Sequence, residues 1–126
     1  MARHVAVIQP PYDRMILDGR KRIESRLTKS PRPPYGRVTP GDTIHFKRSG
    51  GPFVAVACVR RVLTMEIESP SEIDRLAKRY NRWIGAPPTY WTDKRLGTRY
   101  VTLIWFDRVE PSTRRPDYTA QHMAAW

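Results

Sequence analysis

The chain has 126 residues, 40% of them hydrophobic, with 23 Lys and Arg against 12 Asp and Glu and a net charge of +11 at neutral pH. That length and apolar fraction suit one domain with one modest core, and the excess charge favours a polyanion such as nucleic acid, or an anionic membrane surface. The lone cysteine, Cys58, excludes an internal disulfide and a Cys-based zinc site, and no apolar run nears the ~20 residues of a membrane span.

Residues 4–8 are short and β-rich and predict a buried strand. The start lacks the apolar stretch and cleavage site of a signal peptide, so a cytoplasmic location is expected, with no membrane association. Gln9, Pro10 and Pro11 turn the chain into a short helix over 11–18, with Tyr12, Met15 and Ile16 on one face and Gly19 just past its end. Residues 21–27 read as a strand crowded with charge. Pro31, Pro33, Pro34 and Pro40 make 28–41 a long connection.

The run Pro40-Gly41-Asp42 is a turn into a strand over 43–47, and 53–63 reads as a long core strand in which Cys58 is expected to be buried and inert. Ser69, Pro70 and Glu72 form a helix start with capping-box chemistry. Ile73, Leu76, Ala77, Tyr80 and Ile84 follow at helical spacing, and Gly85 with Pro87 and Pro88 ends the helix. Residues 89–96 read as a loop or a short turn of helix, and 100–106 as a strand. The expected organisation is one domain over 1–112 and a polar tail over 113–126. The order β-α-β-β-β-α-β predicts an α+β fold with a mixed, largely antiparallel sheet that curls into a small barrel.

The informative stretch is 19–26. Gly19, Lys21, Glu24 and Arg26 spell G-x-K-x-x-E-x-R, preceded by Gln9, Pro10 and Tyr12 and followed by the Pro40-Gly41-Asp42 turn. On these residues the chain resembles the ASCH domain family, relatives of PUA domains, over roughly residues 4–110. The resemblance implies a PUA-like small β-barrel with two or three flanking helices and a cleft beside the motif for RNA or a nucleobase. One branch of the family is an amidohydrolase of acetylcytidine, with a Thr as nucleophile where Glu24 stands here. No Thr lies within this motif, which departs from that mechanism. Other branches resemble ribonucleases or transcription-coactivator modules.

The residues carry their own logic. Glu24 and Arg26, two apart on a strand, share a face, whereas Lys21 joins them only from a turn or bulge. Together they offer a cation to phosphate and an acceptor to a base edge. Alternatively, Lys21 and Glu24 are catalytic, with a Lys of lowered pKa as base or nucleophile. A solvated salt-bridge ladder is the bland option. Tyr35 with Arg32 and Arg37 on the proline-rich loop, and Tyr90 with Trp91 beside Lys94, are further candidates for stacking and phosphate contact.

The candidate nucleic-acid-binding set is therefore Gly19, Lys21, Glu24, Arg26, Tyr35, Arg37, Tyr90 and Trp91. His4, His45 and His122 have no metal-ligand spacing, so neither metal nor cofactor is expected. The leading expectation is binding of RNA, other single-stranded nucleic acid or a modified nucleoside. The alternatives are a hydrolase, either a ribonuclease or an amidohydrolase of a modified nucleoside, and a basic module for an acidic protein partner.

Overall fold

The computed structural model describes residues 1–116 and 125–126. The elements are β1 (Arg3–Ile8), α1 (Tyr12–Leu17), β2 (Ile23–Thr28), β3 (Thr43–Arg48), β4 (Phe53–Glu66), α2 (Pro70–Ile84), α3 (Pro88–Lys94) and β5 (Tyr100–Pro111). The five strands form one sheet in the order β1-β3-β4-β5-β2, parallel only between β1 and β3. The sheet and its three helices give the α+β architecture expected of a PUA-like half-barrel.

The two ends of that sheet, β1 and β2, define a seam. Instead of a backbone ladder, a side chain crosses it: Arg26 Nη2 of β2 donates to the Val7 carbonyl of β1 at 3.0 Å. The expected tail over 113–126 falls largely on 117–124, which lie outside the described residues. At its far end Trp126 pairs with β1, donating to Val5 O at 2.9 Å and accepting from the Val7 amide at 2.6 Å.

The single core anticipated from composition is divided in two by the sheet. Ala6, Ile8, Ile16, Ile44, Phe46, Ile104 and Phe106 pack in one cluster. Ile23, Leu27, Ile73, Leu76, Ile84, Trp91, Val101 and Leu103 pack in the other, beneath α2 and α3. Strand β5 serves both, because alternate residues of a strand point to opposite faces. The same parity corrects the reading of Cys58. Phe53, Ala55, Ala57 and Val59 are the buried series of β4, and Cys58 lies in the partly open series with Val54 and Val56.

Helix α2 begins and ends where its chemistry dictates. The Glu72 carboxylate accepts from the Ser69 and Glu68 amides at 3.2 and 3.0 Å, and Gly85 closes the helix with φ +77°. Helix α3 is a full element where the sequence left a loop or a single turn. Pro88 starts it, and Trp91 turns inward to anchor it.

Candidate functional site

The turn between α1 and β2 builds the site. Gly19 adopts φ +84°, a left-handed conformation that glycine reaches without a Cβ clash, and so reverses the chain directly after α1. Lys21 then lies in the turn, before β2 begins, which answers the difficulty of its three-residue offset from Glu24. Its amide donates to Met15 O at 3.0 Å, and its side chain runs inward.

Lys21 is 2% exposed and Glu24 5%. The Lys21 ammonium donates to Ile23 O at 2.9 Å and Ile84 O at 2.8 Å, lies 3.5 Å from Glu24 Oε1, and stands 4.8 Å from the centre of the Tyr12 ring. Two of its donors are thus taken by carbonyls while the charge pairs with Glu24, and it ties the end of α2 to the start of β2. Glu24 Oε1 also accepts from the Ser25 amide at 2.9 Å, and Oε2 accepts from Arg26 Nη2 at 3.3 Å. The three charged side chains converge, as the two-apart spacing of Glu24 and Arg26 requires.

Burial and charge act in opposition here. Burial, helped by the Arg26 charge, pulls the Lys21 ammonium below its ordinary value against the pull of Glu24. Burial works to raise the Glu24 carboxyl, but the Lys21 and Arg26 charges and the Ser25 amide outweigh it and hold it low. Burial pushes the Tyr90 phenol up to about 12 although its hydroxyl pairs with Ser25 Oγ at 2.9 Å. Tyr12 is raised by burial and by the Glu24 charge.

Above this triad lies a cleft of about 370 Å³ at the β1–β2 seam. Ile8, Leu27, Ile84 and Ala86 give it apolar walls; Gln9, Tyr12, Lys21, Glu24, Arg26 and Tyr90 give it polar groups; Arg32 and Lys94 stand among the lining residues as further cations. A second groove of about 360 Å³, lined by Arg26, Thr28, Arg32, Pro33, Pro34, Ala125 and Trp126, shares Arg26, Thr28 and Arg32 with the first. The Arg26 guanidinium sits 5.3 Å from the centre of the Trp126 ring. Arg26 Nε and Trp126 Nε1 are buried donors with no hydrogen-bond partner among the described residues.

Of the residues proposed from sequence, the cleft gathers Lys21, Glu24, Arg26 and Tyr90. Gly19 shapes the turn without lining it. Trp91, 6% exposed, belongs to the core under α3. Tyr35 packs edge-on against Tyr100, centroids 5.1 Å apart, and Arg37 is exposed outside the cleft, so Arg32 is the arginine of that loop that reaches it. Lys94, expected beside Tyr90 as a phosphate contact, lines the cleft, follows Tyr90 by four positions and lies 5.3 Å from the Tyr90 ring. The helical spacing of α3 brings the two together. Gln9 and Tyr12, which flank the signature, also line the cleft.

Among the described residues no group of three or more His, Cys, Asp or Glu is placed to hold a metal, and no helix is long and apolar enough to cross a membrane. No curated protein sequence matches the chain. The fold is similar to that of the ASCH protein of Zymomonas mobilis, with TM-score 0.67 and 18% identity over 85% of this chain and 68% of that one. It is also similar to a protein from Enterococcus faecalis V583, with TM-score 0.63 and 10% identity over 86% of this chain and 76% of that one. The family model of the ASCH domain matches residues 7–95, which include the whole signature, the α2 capping segment and the cleft residues of α3. The chain belongs to the ASCH domain family.

Proposed function

We propose that the cleft at the β1–β2 seam binds single-stranded RNA, taking one base between its apolar walls while the cations at its margin hold the backbone. The observation that carries this reading is the convergence of buried Lys21 and Glu24 with half-buried Arg26 on a hollow of nucleoside size. Lys21 has spent its donors on protein carbonyls and Glu24, so its role is to position Glu24. Arg26 keeps an unpartnered Nε, and with Arg32 and Lys94 supplies the cations that meet phosphate. The adjoining groove beside Trp126, Pro33 and Pro34 supports an oligonucleotide over a free nucleoside, because it offers a stacking surface to a neighbouring base.

The test is a fluorescence-anisotropy titration with a short labelled single-stranded RNA. Arg26→Ala is expected to weaken binding by about tenfold or more, the loss typical of a charge-assisted contact. Circular dichroism checks that the seam survives the loss of the Val7 contact. Unchanged affinity in a folded Arg26→Ala protein contradicts the reading.

One observation favours a hydrolase instead: the Lys21 ammonium is held below its ordinary value beside a carboxylate. That arrangement suits a general base once the amine is neutral. Incubation with acetylcytidine and with short RNAs separates the readings. Product formation by the parent protein favours catalysis, and binding without product favours the RNA-binding reading.

A further inference from the structure

A second concavity lies away from the seam, on the opposite face of β3 from Ile44 and Phe46. It has a volume of about 480 Å³ and is lined by Arg3, Thr43, His45 and Val56, and by residues 110–116 except Thr113. The sheet register explains the grouping. Arg3 pairs with Thr43, His45 with Val56, and Val56 with Glu110, so the four strands present these side chains in one patch. The segment after β5 folds alongside, held by Ser112 N to Val54 O at 3.1 Å and by Arg114 N to Ser112 Oγ at 3.2 Å.

Two features of this patch point to a ligand. His45 is 8% exposed, yet neither Nδ1 nor Nε2 has a hydrogen-bond partner among the described residues. A buried imidazole normally has both nitrogens satisfied, so this one awaits an acceptor or a donor. In addition, Arg3, Arg114 and Arg115 line the cavity with one carboxylate, Glu110, so its lining carries an excess of positive charge. From His45 and the converging arginines we infer that this cavity is a second ligand site, for a phosphate-type oxyanion, distinct from the seam cleft.

The charged and titratable groups that face His45 are Arg3 from β1, Glu110 from β5, and Arg114 and Arg115 from the following segment; β4 contributes only Val56. Burial first, then the Arg3 and Arg114 charges, hold the His45 imidazole below 6.5. A bound anion offsets those charges and lets the ring take up a proton and donate to it. By linkage, oxyanion binding then tightens as pH falls.

Sulfate is the clean probe, because it does not titrate in this range as phosphate does. The experiment follows the His45 ring by nitrogen-15 NMR on the full chain, exchanging chloride for sulfate at constant ionic strength. Saturable movement of the His45 resonances is expected, with affinity about threefold or more higher near pH 5.5 than near pH 7.5. Arg3→Gln with Arg114→Gln, both at exposed positions, is expected to weaken binding by about tenfold. His45→Phe is expected to remove the pH dependence as read from the arginine side-chain resonances.

No saturable change at His45 up to about 50 mM sulfate, or equal affinity in the double arginine variant, overturns the site. A parallel arm uses a short single-stranded RNA. If His45 responds to RNA at lower concentration than to sulfate, the oxyanion is a backbone phosphate; if it responds to sulfate alone, it is a free anion. Both results support an oxyanion site. Failure here leaves RNA binding at the seam untouched, since neither Arg3 nor His45 lines that cleft.

Discussion

Lys21→Ala is expected to destabilise the domain by about 3–5 kcal/mol, the loss typical when one partner of a buried ion pair is removed. The reason is geometric. Glu24 is buried and keeps only the Ser25 amide and Arg26 once the ammonium is gone, while Ile23 O and Ile84 O lose their donor. In a domain of this size that loss lowers the thermal midpoint by roughly 10–20 °C, readable by calorimetry. Lys21→Met combined with Glu24→Leu removes the buried unpaired charge and is expected to recover part of the stability, the two carbonyls still lacking their donor.

The pH dependence has a definite sign. A carboxyl held low in the folded state contributes stability that is complete above its unfolded value of 4.5 and is lost as pH falls through its folded value. Urea unfolding of Glu24→Gln is therefore expected to be less sensitive to acid than that of the parent. The lowered Lys21 works in the other range. Its cost is present at neutral pH and is relieved as pH rises through its folded value towards 10.5.

RNA affinity is expected to fall steeply with salt. If Arg26, Arg32 and Lys94 each meet a phosphate, the slope of log affinity against log salt is about −2, from roughly −0.7 per contact for single strands. Raising salt from about 50 to about 200 mM then weakens binding roughly 15–20-fold. Arg32→Ala with Lys94→Ala leaves Arg26 alone, and the slope is expected to drop to about −0.7. These two side chains carry no print of the buried triad, so the change isolates phosphate contact from stability. An affinity indifferent to salt would count against backbone binding.

Much of this was readable from the residues, and the exceptions have physical causes. Helix α2 was legible because Ser69, Pro70, Glu72 and Gly85 bracket an apolar stripe, and every one of those signals is local. The meeting of Glu24 with Arg26 followed from strand parity, and the place of Lys21 from the turn that Gly19 permits. The second acceptor of Lys21 did not follow, because Ile84 O is 63 positions away and only tertiary packing brings it near.

Of the cluster Tyr90, Trp91 and Lys94, Trp91 departs from expectation. Without a helix over α3 it reads as a free aromatic, whereas it is buried in the core. The α-helical period of about 3.6 residues sends Trp91 inward and sets Lys94 beside Tyr90. Cys58 does share a face of β4 with Val54 and Val56, but that face is the partly open one; a Val-Ala alternation offers hydrophobic residues on both faces. Only packing against the inner core decides which series is buried. The role of Trp126 had no local signal, since its partners are the backbone of β1 and the guanidinium of β2.

The most direct measurement is amide chemical-shift mapping of the chain titrated with a short single-stranded RNA. The largest shifts are predicted at Gln9, Tyr12, Glu24, Arg26, Thr28, Tyr90 and Lys94, the two sides of the β1–β2 seam. Shifts that spare this seam and fall elsewhere, or none at saturating RNA, would contradict the proposed cleft.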